Sequence, residues 1–503
     1  MLYLGIDLGT TFSLVAHVND RGLPTLFPDA HNANEYRTPS CVHVQGQVAL
    51  VGDALEELLD DEPSLLHARF FKLAMGNNQS VFVDAEQRQW WPQSLSALVL
   101  KKLLADVETC AHEEIGGVLI AVPAHFNNAQ RRATKEAAQL AGIMQVKLIE
   151  EPVAAATFYG YSSKQGEQTI FVYDLGGGTF DATVLQVGPE GLYALATEGN
   201  LSLGGKHIDD IIIRYILAEF SRQYGYEPSD QATLLTLRRF ADECKLALGR
   251  PGRNRVSKTL ILAGRTMDFV LSQERFNQLI DQLIDDTLQV CDRCLKAAGL
   301  DWSFIDSILL TGGSSLLPLV VDKVSKASGK PKDQLVCKQP HQAVAYGAAL
   351  LAAQQFKGQS TAHSLRSICS YDLGIRTRGR DGEPSIKVMI AQNSPVPASA
   401  KTVFYTSRED QTRLIIEAVQ RRTEGKVSLD TSLGFFAFAI PEPKLRYPIE
   451  IELAYDLEGL VIVTARDPAT GQQMQQVMDQ DVEAMSRELL AQQMWIHPLQ
   501  INR

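Results

Sequence analysis

The chain has 503 residues, 45% of them hydrophobic and 21% charged, which is enough apolar material for two or three cores without disulfide or metal staples. The net charge of −11 is spread along the sequence and no Lys/Arg cluster is interleaved with aromatics, which argues against nucleic-acid binding. Seven scattered cysteines, no basic leader followed by an apolar stretch, and no run near the roughly 20 apolar residues of a membrane span point to a reducing, cytoplasmic setting without membrane contact.

The first apolar run leads into Gly5-Ile6-Asp7-Leu8-Gly9-Thr10-Thr11 and is followed by a second, Ser13 to Val18. The same arrangement returns at Tyr173-Asp174-Leu175-Gly176-Gly177-Gly178-Thr179, followed by Asp181 to Val187. Each predicts a β-hairpin whose glycines let backbone N–H groups converge on an anion, while Asp and Thr oxygens suit Mg²⁺ or phosphate. Two such tips suggest a duplicated domain clamping one polyphosphate from both sides. Between them, Lys72 and Glu151 are charges with apolar neighbours; taken alone, either reads as a solvated surface charge.

Helical spacing marks Ser94 to Cys110, Asn127 to Gly142, Ile208 to Tyr224, Thr233 to Gly249 and Glu274 to Gly299, with Asn127 as a cap and Gly142 and Gly249 just past ends. Strands alternating with these helices predict an α/β architecture up to about residue 355. Cys291 and Cys294 form the one CxxC, but no second Cys or His pair completes a tetrahedral metal site, so they read as ordinary helix cysteines. Gly204-Gly205 and Thr311-Gly312-Gly313-Ser314 are further glycine turns, the second placed between a strand and a helix where a phosphate can be bound. Gln354 to Ser370 is polar and aperiodic, the best linker candidate. Beyond it Ile386 to Ile390, Thr402 to Thr406, Leu414 to Val419, Phe435 to Ile440, Ile449 to Tyr455 and Leu460 to Ala465 read as strands of a separate all-β module, and Asp481 to Gln493 as one short helix.

Together with Val122-Pro123-Ala124-His125-Phe126, Glu151-Pro152-Val153-Ala154-Ala155-Ala156 and Ala343 to Ala349, these motifs occur in an order that resembles the DnaK-like seventy-kilodalton heat-shock chaperones over nearly the whole chain. The β module is similar to that family's substrate-binding sandwich through Asn393-Ser394-Pro395-Val396-Pro397 and Tyr455 to Asp467; Ile368 to Gly374 and Ile501-Asn502-Arg503 resemble its HscC-like branch. The resemblance implies an actin-like two-lobed ATPase (residues 1–355, lobe I to about 166 and lobe II from 167), a linker (356–369), a β-sandwich (370–478) and a short helical segment (479–503). It implies ATP or ADP with Mg²⁺, and K⁺ as an accompanying cation. Asp7 and Asp174 would hold hydrated Mg²⁺, Lys72 the γ-phosphoryl charge and attacking water, and Glu151 and Thr179 the polar shell. Gly9, Thr10, Thr11, Gly176, Gly177, Gly178, Gly204, Gly205, Gly312, Gly313 and Ser314 would cradle the nucleotide, with Asp242 and Lys245 at the ribose. Pro123 and Arg131 would relay nucleotide state, and Phe404, Leu414 and Ile416 would line a peptide groove. Without the family context, Pro123 is a strand terminator, Arg131 a helix arginine and the three apolar residues strand core.

Several positions depart from the family pattern. Leu246 and Leu316 replace base-stacking arginines and His341 an acidic residue, so ATP affinity is expected to be weaker than in the general chaperones. Phe12, Leu73 and Lys206 are milder changes near the phosphates. The hairpin at Ala263-Gly264-Arg265-Thr266 lacks the excursion used by an exchange factor, so spontaneous exchange is expected. The linker His363-Ser364-Leu365-Arg366-Ser367-Ile368-Cys369 has lost acidic and leucine character, which is expected to weaken its docking surface, and the family's helical lid is expected to be missing. The leading reading is an ATP-dependent chaperone for unfolded client polypeptides with a J-domain partner. The rivals are an actin-like small-molecule kinase, opposed by the β module, and a nonenzymatic or uncoupled adaptor for one client, opposed by the retained Lys72, Glu151, Asp7, Asp174 and Thr179.

Overall fold

A computed structural model describes the chain except residues 63, 78, 164–166, 190, 251, 337–338, 358–363, 379–382, 425–426, 479–491, 493 and 503. Its organising feature is one strand pattern used twice. In lobe I, Leu2–Leu8 pairs antiparallel with Phe12–Val18 on one side and parallel with Ile115–Val122 on the other, beyond which lies Val146–Glu150. In lobe II, Gln168–Leu175 pairs antiparallel with Phe180–Gly188 and parallel with Ser307–Thr311, beyond which lies Leu335–Val336. The two hairpins close at Leu8–Ser13 and Leu175–Phe180, which leaves the glycine-rich residues of each as the tip.

The helices Glu151–Ser163 and Ala343–Lys357 lie between the two sheets, in a core that takes Leu119 and Ile149 from one lobe and Ile170, Val172 and Leu309 from the other. Their approach is set by side-chain size. A Cβ on Gly347 would stand 1.7 Å from the Ala154 carbonyl oxygen, and one on Gly5 would stand 2.0 Å from the Ala349 nitrogen. Elsewhere the caps match the periodic pattern. Asn127 and Gln130 form a reciprocal capping box before Asn128–Leu140, and Gly249 follows Gln231–Leu248. Cys291 and Cys294 are buried on Gln273–Ala297, and burial pushes both thiols up, away from the reactive thiolate.

The segment read as a linker carries a strand. Ser364–Ile368 runs parallel to Gly191–Asn200 and antiparallel to Pro395–Val396, which extends the lobe II sheet by two strands; residues 358–363 lie outside the described residues. Backbone ladder bonds are indifferent to side-chain identity, so the loss of acidic and leucine residues does not prevent the pairing. The sandwich follows as two four-stranded sheets around a core of Leu373, Phe436, Phe438, Ile449 and Val463. The helix expected at 481–493 falls almost wholly outside the described residues; Gln492 is helical and Gln500–Ile501 forms a strand on lobe I.

Candidate active site

The hairpin tips face each other across a cleft with a cavity volume of about 320 Å³, in the range of small-molecule sites. Asp7, Gly9, Thr10 and Thr11 line one wall; Asp174, Gly176, Gly177, Thr179, Gly205, Gly312, Gly313 and Ser314 line the other. The turns brace one another. The Gly205 and Lys206 amides donate to the Gly176 and Gly177 carbonyls at 2.9 and 2.7 Å, and Ser314 Oγ donates to the Gly176 carbonyl at 3.2 Å. On the lobe I side the Ser40 amide donates to the Thr11 carbonyl at 2.8 Å, and Ser40 Oγ to the Gly9 carbonyl at 2.8 Å. Gly178 packs against Gly204, where a Cβ on the latter would lie 2.6 Å from backbone. Gly312 adopts φ 77°, a left-handed conformation that favours glycine, and a Cβ there would press on Leu175 and on Asp174 Oδ1.

Lys72 sits in the 3₁₀ turn Phe71–Ala74, only 6% exposed, and donates to Glu151 Oε1 at 2.8 Å. Glu151 opens the helix Glu151–Ser163, whose N-terminal dipole favours a carboxylate. Burial, reinforced by repulsion from Glu151, pushes the Asp7 carboxyl up to about 7, with Lys72 pulling the other way. Burial also pushes up Asp174, helped by Glu151 and Asp181, and Glu151 itself, against the pull of Lys72. Buried, mutually repelling carboxylates served by one lysine are an environment in which a divalent cation is favoured. No group of three or more His, Cys, Asp or Glu converges as a direct ligand set among the described residues. Asp7 and Asp174 could hold a Mg²⁺, which keeps several of its waters.

On the outer side, Lys245 Nζ lies 2.8 Å from both Asp209 and Asp242, which raise its ammonium pKa against the effect of burial. Leu246 is 54% exposed, and with Leu316, Leu317 and Pro340 it gives this end of the cleft an apolar wall. His341 is held below its ordinary pKa by burial and then by the charge of Arg37. Arg37 was not among the residues that sequence reasoning singled out. It reaches the cleft from lobe I, its guanidinium 4.9 Å from the Phe12 ring centroid, and its sequence neighbours form no glycine turn that could have flagged it.

Behind Lys72 the loop Pro123 to Phe126 joins the cleft to the sandwich. Lys72 Nζ stands 5.6 Å from the Phe126 ring centroid, and His125 Nδ1 lies 3.0 Å from Asp181 Oδ1 on the second hairpin. The Ala124 and His125 carbonyls accept from Ser370 Oγ at 2.5 Å and Tyr371 Oη at 2.6 Å. Arg131 donates to the Phe126, Ala124 and Glu458 carbonyls at 3.1, 3.3 and 3.2 Å and pairs with Glu150 at 3.1 Å, one residue before Glu151. Gly459, at φ 76°, lets the sandwich turn approach this guanidinium; a Cβ there would lie 3.2 Å from Arg131 Cζ.

The three residues expected at a peptide groove pack in or against the sandwich core. Ile416 is 1% exposed in the core, and Phe404 and Leu414 are half-buried against it, with Lys387 Nζ 5.3 Å from the Phe404 ring centroid. No helix among the described residues is long and apolar enough to cross a membrane. A family model described as Hsp70 protein matches residues 3–494, spanning both lobes and the sandwich.

Proposed function

The chain belongs to the Hsp70 family, and from that premise we propose that it cleaves ATP at Lys72 and Glu151 and uses the result to control how the sandwich holds extended apolar segments of client polypeptides. Membership carries an actin-like ATPase followed by a β-sandwich, ATP-dependent chaperone function, ATP or ADP with Mg²⁺, and J-domain co-chaperones as general properties. The match continues through the sandwich, for which a small-molecule kinase has no use. The observation that supports the finer reading is the buried Lys72–Glu151 pair at the meeting of the two hairpin tips.

In this reading the Thr10-Thr11 and Gly176 to Thr179 tips bind the polyphosphate from opposite walls. Lys72 stabilises charge on the γ-phosphoryl oxygens and holds the attacking water in line, while Glu151 fixes the ammonium. Asp7 and Asp174 would hold Mg²⁺, which would supply charge neutralisation to the phosphates. Asp242 and Lys245 meet the ribose, and the apolar wall at Leu246 and Leu316 makes ATP binding weaker than a pair of stacking arginines would. Arg131 and Pro123 carry the state of the cleft to the sandwich through the Pro123 to Phe126 loop, and the half-buried Phe404 and Leu414 line the peptide site over the core residue Ile416. We further assign K⁺ as an accompanying ion, exchange without a dedicated factor at the short 263–266 hairpin, the HscC-like branch, and domain limits at 1–355, 370–478 and 479–503.

Single-turnover hydrolysis tests the proposal. Lys72→Ala is expected to lower the rate by about 100-fold or more, the usual cost of removing a charge-stabilising donor, with ATP still bound. Apolar extended peptide is expected to raise the wild-type rate. A Lys72→Ala rate within a few-fold of wild type would overturn the catalytic assignment, and peptide-insensitive hydrolysis would point to an uncoupled adaptor.

A further inference from the structure

The last described segment of the chain is bound to lobe I as though it were a peptide ligand. The Gln500 and Asn502 amides donate to the Gln47 and Ala49 carbonyls at 3.0 and 2.9 Å, which adds a parallel strand to the edge of Val48–Val51. The Asn502 side chain mimics a further backbone pair: its Oδ1 accepts from the Val51 amide at 2.7 Å and its Nδ2 donates to the Val51 carbonyl at 3.0 Å. Ahead of this strand, Trp495 packs edge-on against the fully buried Trp90, with ring centroids 4.4 Å apart, and Ile496 is completely buried in the lobe I core. Lys101 Nζ donates to the carbonyls of Ile496, His497 and Leu499 at 3.0, 3.1 and 3.3 Å, closing the turn between the aromatic anchor and the strand. Backbone pairing, a buried anchor and a lysine on turn carbonyls are the ingredients of strand-addition recognition.

We infer that this edge of lobe I is a binding site whose ligand is the chain's own residues 494–502, and that the resulting clasp is a second interdomain anchor. The sandwich enters from lobe II, through the strand Ser364–Ile368, and the chain that leaves it at Met478 is next described on lobe I. The strand before the sandwich is therefore held by lobe II and the segment after it by lobe I. A tethered sandwich re-docks at a high effective concentration. This holds whether or not the cleft hydrolyses ATP.

Amide hydrogen exchange on the full chain tests it. The Val461 amide donates to Asn128 Oδ1 across the interface at 2.9 Å and so reports docking; the Asn502 amide reports the clasp; Ile120, buried mid-strand in lobe I, reports the fold. Ile496→Asp and, more mildly, Asn502→Ala are expected to release the Asn502 amide and to speed Val461 exchange about tenfold with Ile120 unchanged. If Ile496→Asp also exposes Ile120, Asn502→Ala alone decides. Val461 exchange that stays at the wild-type rate once the clasp amide is free would overturn the anchor, and an Asn502 amide exchanging at the unstructured rate in the wild type would overturn the clasp.

Discussion

Arg37 is a loosely committed cation of the cleft. Lys72 is paired with Glu151 and Lys245 with two aspartates, whereas Arg37 has only a loose pair with Glu35 at 3.6 Å and rests on Phe12, immediately beyond the Thr10-Thr11 tip. A guanidinium there can donate to an anionic ligand without first breaking a tight ion pair. Arg37→Ala is expected to weaken ATP binding by roughly five- to tenfold, about 1 to 1.4 kcal/mol, read by calorimetry. An unchanged dissociation constant would remove Arg37 from the site. At this scale the hairpin-tip residues that line the cleft were legible in the sequence because glycine and aspartate in a tight turn state their chemistry locally. Arg37 was not, because nothing in Glu35-Tyr36-Arg37-Thr38 specifies which surface the side chain meets.

Elements followed the same division. The amphipathic helices and their caps could be read from spacing, as Asn127 and Gly249 show. Glu151–Ser163 and Ala343–Lys357 could not, since helices buried between two lobes are apolar all round and carry no amphipathic period. Their glycine contact is a sensitive point. Gly347→Ala places a methyl group against the Ala154 backbone, and overpacking of this kind costs about 1 to 3 kcal/mol. A lowered Tm is expected, together with slower hydrolysis, because the displaced helix begins at Glu151; a variant as stable as wild type would show that the helices slide apart freely.

Across the whole molecule, the docked sandwich converges on Arg131. Removing this side chain breaks three carbonyl contacts and leaves Glu150 as a buried carboxylate without its cation. Arg131→Ala is expected to shift the population toward an undocked sandwich, seen as a larger radius of gyration in small-angle scattering and as loss of peptide stimulation of hydrolysis. Unchanged scattering and stimulation would limit Arg131 to a local structural part in lobe I.

The sequence by itself determined the hairpin tips, the caps and the periodic helices, since each is a property of a few neighbouring residues and the backbone conformations they prefer. Only the tertiary structure decided that Lys72 meets a carboxylate 79 residues away, that Arg131 touches a carbonyl 327 residues away, and that Asn502 pairs with Val51 across 451 residues. Ladder bonds and ion pairs between distant segments depend on which surfaces the packed cores bring together, and residue spacing carries no record of that.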